Sequence, residues 1–349
     1  MQEIKHSSLR EAILTSIGEF LYDEDFQKDP ITKEGILEIL NLISDYHEEG
    51  QPLFPEVLIT NSLDFFKSIP NKELVLNESV LSVEEFKNAI KLCAPLAINN
   101  WIIFIEVKAD KIKYGLVSAE MTETSPSIYN QTVGKLKIDF PNTTIAFIKN
   151  WGQKTVELSG LKKRLVVSLN LEKPKEYTSN ELNLLTACIA EKCNEKIRVN
   201  INTFFEKAID EALKAGHGNL IGIIEDDEAV INILKEKLKV NSGIYLPSPI
   251  DFEGLIVDSE SNKDSESSIN LKAYASILKA MINHDGITIM TNRGRVIGYH
   301  LLIDPYINDG DVLRGGARSK AYLSMQNCGH FKCCFYKSQD GNLKIWKNE

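Results

Sequence analysis

Two short segments in the last quarter of the chain carry residue types that suit a phosphorylated ligand. In "NHDGITIM", Asp285 offers a carboxylate that looks placed to hold a metal. In "RGGARSKA" (314–321), Arg318 and Lys320 supply charge and Ser319 a hydroxyl. The doubled Gly315-Gly316 allows backbone N–H groups to converge on an anion. Arg314, Arg318 and Lys320 clustered in an acidic chain read as an anion-binding nest; the plainer reading is a surface turn with ordinary cations. Asp-Gly is likewise a common turn, able simply to end a helix and start a strand.

Other chemistry-bearing residues read as structural. "CGHFKCC" offers Cys328, His330, Cys333 and Cys334, but it has no C-x-x-C pair, and neighbouring strand residues point to opposite faces. His284 suits an interaction with a helix end. His217 sits between glycines in a turn, and Tyr245 and Tyr299 could stack on a base or pack on a sheet.

The elements that must position these residues follow from periodicity. Residues 8–46 have helix spacing, 54–60 a short strand, and 82–97 a helix begun by Ser82 with Glu85 at the capping-box position. Apolar runs at 101–107, 112–120, 143–150, 155–160 and 164–171, separated by turns, predict a largely antiparallel sheet. The polar loop at 118–135 reads as a surface connection. "NLEKPKEYTSNE" (170–181) is a linker candidate, followed by a long helical pattern from Glu181 to about Ala215, closed by Gly216. Strands are expected at 219–224, 286–291, 295–302, 331–338 and 342–347, with helices at 227–239 and 268–283. "VDSESNKDSESS" (257–268) is expected to be a mobile surface loop. The fold class is therefore α/β (α+β): an N-terminal domain, 1–195, with a mixed or antiparallel sheet, then a domain, 196–349, with a mixed sheet covered by helices.

Composition narrows the function. The chain has 349 residues, a net charge of −9 and a pI near 5.4, which argues against a duplex nucleic acid partner. The N-terminus mixes charges into its apolar positions, unlike a signal peptide, and no run approaches the about 18–20 apolar residues of a membrane span. Six cysteines show no secreted-domain framework. A cytoplasmic location with reduced thiols is expected.

Taken in order, "ALKAGHGNLIGII" (212–224), "GIYLPSPIDF" (243–252), "NHDGITIM" and "GGARSKA" resemble the diadenylate cyclase (DAC) domain, the catalytic module of the DNA-integrity scanning protein DisA and its relatives. The resemblance covers residues 203–349. The family pattern has Asp-Gly-Ala where this chain has Asp285-Gly286-Ile287. It has G-T-R-H-R-A-A-L-G-[IL]-S-E where this chain runs from Gly316 through Ala317, Arg318, Ser319 and Lys320 to Gln326. The resemblance implies two ATP-bearing domains face to face, forming cyclic di-AMP with Mg or Mn held by the aspartate. Asp285 would then be the metal ligand and, in an active enzyme, the catalytic carboxylate. Gly286, Gly315, Gly316, Arg318, Ser319 and Lys320 would contact the nucleotide.

The departures are Ala317 for threonine, Ser319 for histidine, Lys320 for arginine and Gln326 for glutamate. Lysine keeps charge without bidentate geometry, and serine neither titrates near neutrality nor carries charge. The expectation is a sensor that binds ATP or a cyclic di-adenine nucleotide and has lost most of the chemistry. It would be a homodimer if the face-to-face contact is kept. The alternatives are an active, diverged cyclase and a non-enzymatic assembly scaffold.

Overall fold

The computed structural model describes residues 8–68, 71–98, 100–118, 122–125, 140–152, 154–169, 179–215, 218–237, 243–262, 265–303, 316–338 and 343–348. Contacts divide the chain into two units: Met1–Met121 with Pro126–Glu176, and Thr122–Ser125 with Tyr177–Glu349.

In the first unit, α1 (Leu9–Asp23) begins at a reciprocal capping box between Ser8 and Glu11. Next, α2 (Pro30–Ile43) starts at Asp29, whose carboxylate accepts from the N–H groups of Ile31 and Thr32, with proline in the first turn. A two-residue hairpin pair, β1 (His47–Glu48) and β2 (Gln51–Pro52), precedes the sheet. Its strands are β3 (Val57–Thr60), β4 (Lys72–Val80), β5 (Ile102–Lys108), β6 (Lys111–Ser118), β7 (Ile145–Gly152), β8 (Thr155–Ser159) and β9 (Arg164–Ser168). Helix α3 (Val83–Cys93) lies between β4 and β5 in sequence and is capped by Ser82, as its sequence predicts. The strand order is β4-β6-β5-β3-β7-β8-β9, and only β3 and β5 pair in parallel.

The three helices bury Ile17, Ile36, Phe86 and Ile90 against Ile103, Ile105, Tyr114 and Ile148. Gly35 makes this close approach possible: a Cβ there would lie 2.2 Å from the Phe86 ring. On the other face Leu58, Phe104 and Phe147 pack with Phe65 and Phe66 of a 3₁₀ turn, Asp64–Ser68. Edge strand β4 has no clean apolar alternation, so periodicity passes over it. It carries a bulge: Val75 opposes Gly115 and Asn77 opposes Tyr114, which leaves Leu76 without a partner on β6.

The second unit contains α4 (Ser179–Ile189), α5 (Arg198–Ala215), α6 (Glu228–Lys237), α7 (Phe252–Asn262), α8 (Ser265–Asn283) and α9 (Ala317–Asn327). Its strands are β10 (Asn219–Ile224), β11 (Ile244–Asp251), β12 (Ile287–Thr291), β13 (Arg295–Leu301), β14 (Phe331–Lys337) and β15 (Leu343–Lys347), in the order β11-β13-β12-β10-β14-β15. β10 and β12 are parallel and every other pair is antiparallel. One face packs Leu185, Phe204, Phe252 and Leu278 on Ile221, Ile223, Met290 and Phe335. The opposite face packs Ile231, Leu234, Tyr322 and Met325 on Leu220, Ile224, Ile289 and Cys334. Helices thus cover a mixed sheet, and both units have the α/β character the sequence predicts.

Four expectations are corrected. The pattern over 181–215 is two helices, broken at 190–197 by turns. Because Leu182, Leu185 and Ile189 enter the same core as Phe204 and Phe335, the contacts group 177–195 with the second unit, and the boundary falls at the linker rather than at 195. The segment 257–268 is not a loop where described: Asn262 ends α7 and Ser265 begins α8. Asp258, Asn262 and Glu266 are exposed, while buried Phe252, Ile256 and Ser259 anchor the segment. "ARSKA" is the first turn and a half of helix α9, not a glycine turn. Gly216, His217, Arg314 and Gly315 lie outside the described residues, as do 119–121 and 126–135 of the polar loop.

Candidate functional site

The second sheet brings the two motifs to one of its ends. α8 stops at Asn283, and Asp285-Gly286 turns the chain into β12. Gly286 has φ +100°, and a Cβ there would sit 2.8 Å from the backbone carbonyl carbon of His300, so both conformation and space demand glycine. The strand therefore starts pressed against the end of β13. Facing it is the N-terminus of α9, where Arg318 Nη2 donates to Asp285 Oδ1 at 3.1 Å. The Asp285 side chain is 70% exposed and that of Arg318 31%. The guanidinium lies over Gly218 (φ +137°), where a Cβ would be only 3.0 Å from Nη1.

Gly316 caps α9 in extended conformation with no side-chain cap bond, and the first helical bond runs from Lys320 N to Gly316 O at 3.1 Å. The N–H groups of Ala317, Arg318 and Ser319 therefore have no partner within the helix, and the positive end of its dipole points at Asp285's surroundings. Gly316 itself has an ordinary φ of −73°, and an added Cβ would meet open space. Its glycine is required by neither conformation nor packing. Residues two apart on a helix do not face each other, so of the two cations only Arg318 turns toward Asp285. Lys320 and Gly316 are exposed, and Ser319 is half-buried between them. Gly222 lies away from this end, in mid-strand, where a Cβ would press on Phe331 and Met325.

The structure adds residues that no motif announced. His300 Nδ1 lies 3.1 Å from His284 Nδ1 and hydrogen-bonds the Asp285 carbonyl; His284 Nδ1 is 3.3 Å from that same oxygen. His300 adopts φ +56°, a left-handed conformation uncommon outside glycine. Tyr299 stands edge-on to His284 at 5.6 Å. Lys337, paired with Asn219 at the same sheet end, gives its ammonium to the Leu213 carbonyl; burial pulls its pKa down to about 8. Tyr245 packs into the core, where burial pushes its phenol up to about 12. Cys333 and Cys334 lie on opposite sheet faces, and all six cysteines are free.

The other end of the sheet, at the C-terminal ends of parallel β10 and β12, is where open α/β sheets commonly hold ligands. Here it carries matched charges. Glu225 is gripped by Lys192 and by Lys332 (2.7 Å), which hold its carboxyl down at about 2. Lys332 also reaches Glu191 at 3.3 Å, Arg293 meets Glu253 at 2.7 Å, and Arg295 meets Asp226 at 3.2 Å. Fully buried Asn292 ties these loops together: its backbone bonds Ile224 and Lys192, and its side chain bonds Asp226 N and Glu191. This end is closed by its own ion pairs, whereas the Asp285–Arg318 end leaves donors open.

Among the described residues, no group of three or more His, Cys, Asp or Glu side chains is arranged to hold a metal, and no helix is long and apolar enough to cross a membrane. Asp285 offers a single carboxylate, which suits a hard divalent ion only when a ligand's phosphates complete its shell. No protein-family model, curated protein or solved structure matches the chain.

Proposed function

We propose that the second unit binds an adenine nucleotide, ATP or a cyclic di-adenine nucleotide, at the Asp285–Arg318 end and forms little or no cyclic di-AMP. The observation that carries this is the meeting of two motifs 33 residues apart, with Arg318 Nη2 3.1 Å from Asp285 Oδ1 at an uncapped helix N-terminus. Free N–H groups, the helix dipole, Arg318 and the Ser319 hydroxyl are what a phosphate needs. Mg or Mn, bound with the nucleotide, would neutralise phosphate charge, and Asp285 is the residue to hold it.

Cyclisation asks for more than binding. The attacking hydroxyl and the phosphorus must be aligned, and small misplacements cost about 10²-fold. Ala317 and Ser319 at the helix start, and Gln326 near its end, each lack a group present in the cyclase pattern. In the resting protein Arg318 is engaged by Asp285, so a phosphate must compete for it.

The test is incubation of the pure chain with ATP and Mg²⁺ or Mn²⁺, followed by mass spectrometry of products and retained ligand. Retained adenine nucleotide without cyclic product is the expected result. Turnover to cyclic di-AMP that disappears in Asp285→Asn would establish an active cyclase, and absence of any retained nucleotide would leave an assembly role.

A further inference from the structure

The group of atoms beside Asp285 is held by hydrogen bonds whose spacing is also that of metal ligands. Two imidazole nitrogens, His284 Nδ1 and His300 Nδ1, stand 3.1 Å apart, and the Asp285 carbonyl oxygen lies 3.3 Å from the first and bonds the second. A metal–imidazole distance near 2.0–2.1 Å places two adjacent ligands of one ion roughly 3.0–3.4 Å apart. The rings meet at 69° with centroids 4.4 Å apart, so they approach one point from different directions instead of stacking. His284 is exposed and His300 half-buried, which leaves an ion and its waters access from the His284 side. His300 holds this position from a left-handed backbone, and its contact with Gly286 fixes that backbone beside the carbonyl. Unfavourable conformations of this kind are kept where surrounding structure enforces them, and they cluster at functional sites.

We propose that His284 Nδ1, His300 Nδ1 and the Asp285 carbonyl oxygen bind a divalent transition metal of the zinc, cobalt and nickel class, with water completing the shell. Imidazole ligands select such ions over magnesium, which prefers oxygen. Entry of the ion replaces the proton that His300 Nδ1 gives to the carbonyl, and His300 takes the tautomer with its proton on Nε2. This site is independent of the nucleotide reading: its ligands are two imidazoles and a backbone oxygen, not the Asp285 carboxylate or Arg318.

Cobalt titration of the full chain without nucleotide, followed by visible absorption and calorimetry, tests it. One equivalent should bind with a ligand-field band. His300→Asn, which tolerates the left-handed backbone, and His284→Gln should each weaken binding by roughly 10-fold or more, with circular dichroism unchanged. Asp285→Asn keeps the carbonyl and should keep cobalt. Absence of saturable binding, or binding unaltered in the folded double variant, would mean that the pair is only a hydrogen-bonded contact. Nucleotide affinity measured in chelator reports separately on Arg318, so either reading can fail without the other.

Discussion

Arg318 Nη2 donates to Asp285 Oδ1 across a gap of 33 residues in sequence, joining a helix start to a helix end at one end of a mixed sheet. This pair engages Arg318 while the N–H groups at the start of α9 stay open, and it sets the sign of the first prediction. In chelator, Asp285→Asn should bind ATP about 1.4- to 5-fold more tightly, because an exposed ion pair contributes roughly 0.2–1 kcal/mol. With Mg²⁺ present the variant should lose that advantage, since the carboxylate for the metal is gone. Calorimetry in the two buffers reads the crossover; the same shift in both would separate Asp285 from any metal role.

The two cations should not be equivalent. Arg318 faces Asp285 and lies over Gly218, whereas Lys320 is two residues further round an exposed helix. Replacing both with alanine should weaken nucleotide binding by more than ~1.5 kcal/mol, with Arg318→Ala alone accounting for most of it. Equal effects from the two single variants would place the phosphate elsewhere on α9.

Acid should act at the far end of the sheet. Lys192 and Lys332 hold the Glu225 carboxyl at about 2, against ~4.3 in an unfolded chain. A depressed folded pKa contributes stability that is present above the unfolded value and is lost as pH falls through the folded one. Between about pH 4.5 and 2 the wild type should therefore lose stability faster than Glu225→Gln. The variant should melt lower at pH 7 by roughly 2–4 °C, given about 1 kcal/mol for a well-paired but partly exposed group. Melting curves against pH give the comparison, and parallel curves would refute the assignment.

In the first unit, Gly35→Ala should destabilise by about 1–3 kcal/mol through overpacking, because its new Cβ would lie 2.2 Å from the Phe86 ring. Phe86→Leu in the same chain should recover part of the loss. Denaturant unfolding of the single and double variants measures the coupling; additive effects would show that α2 and α3 can simply move apart.

Legibility tracked how local the cause was. "NLIGII" reads as a buried strand because all six residues are buried, and β10 occupies those six positions. Helix α9 was hidden because only Tyr322, Ser324 and Met325 of its eleven residues are buried, too few for a clear period. The serine-rich segment after Val257 has the composition of a loop, yet Ile256 and Ser259 on one side hold it helical. Motif order puts Gly222, Asp285 and Arg318 at one end; the structure has Asp285 and Arg318 in contact and Gly222 away from them, in mid-strand. His300 gave no signal, since a lone histidine in a strand has no spacing to read. The Glu225 cluster was equally silent because its partners come from separated segments, joined only by folding.

The bulge at Leu76 has a consequence for how the protein behaves in concentrated solution. β4 is an edge, with Leu74, Val75 and Leu76 all exposed, and an open apolar strand invites another molecule's backbone to zip alongside it. The extra residue kinks that border. Deleting Leu76 would leave Val75 opposite Gly115 and Asn77 opposite Tyr114, so the internal ladder survives while its outer rim becomes straight. Light scattering should then rise with concentration in the deletion variant and stay flat in the wild type.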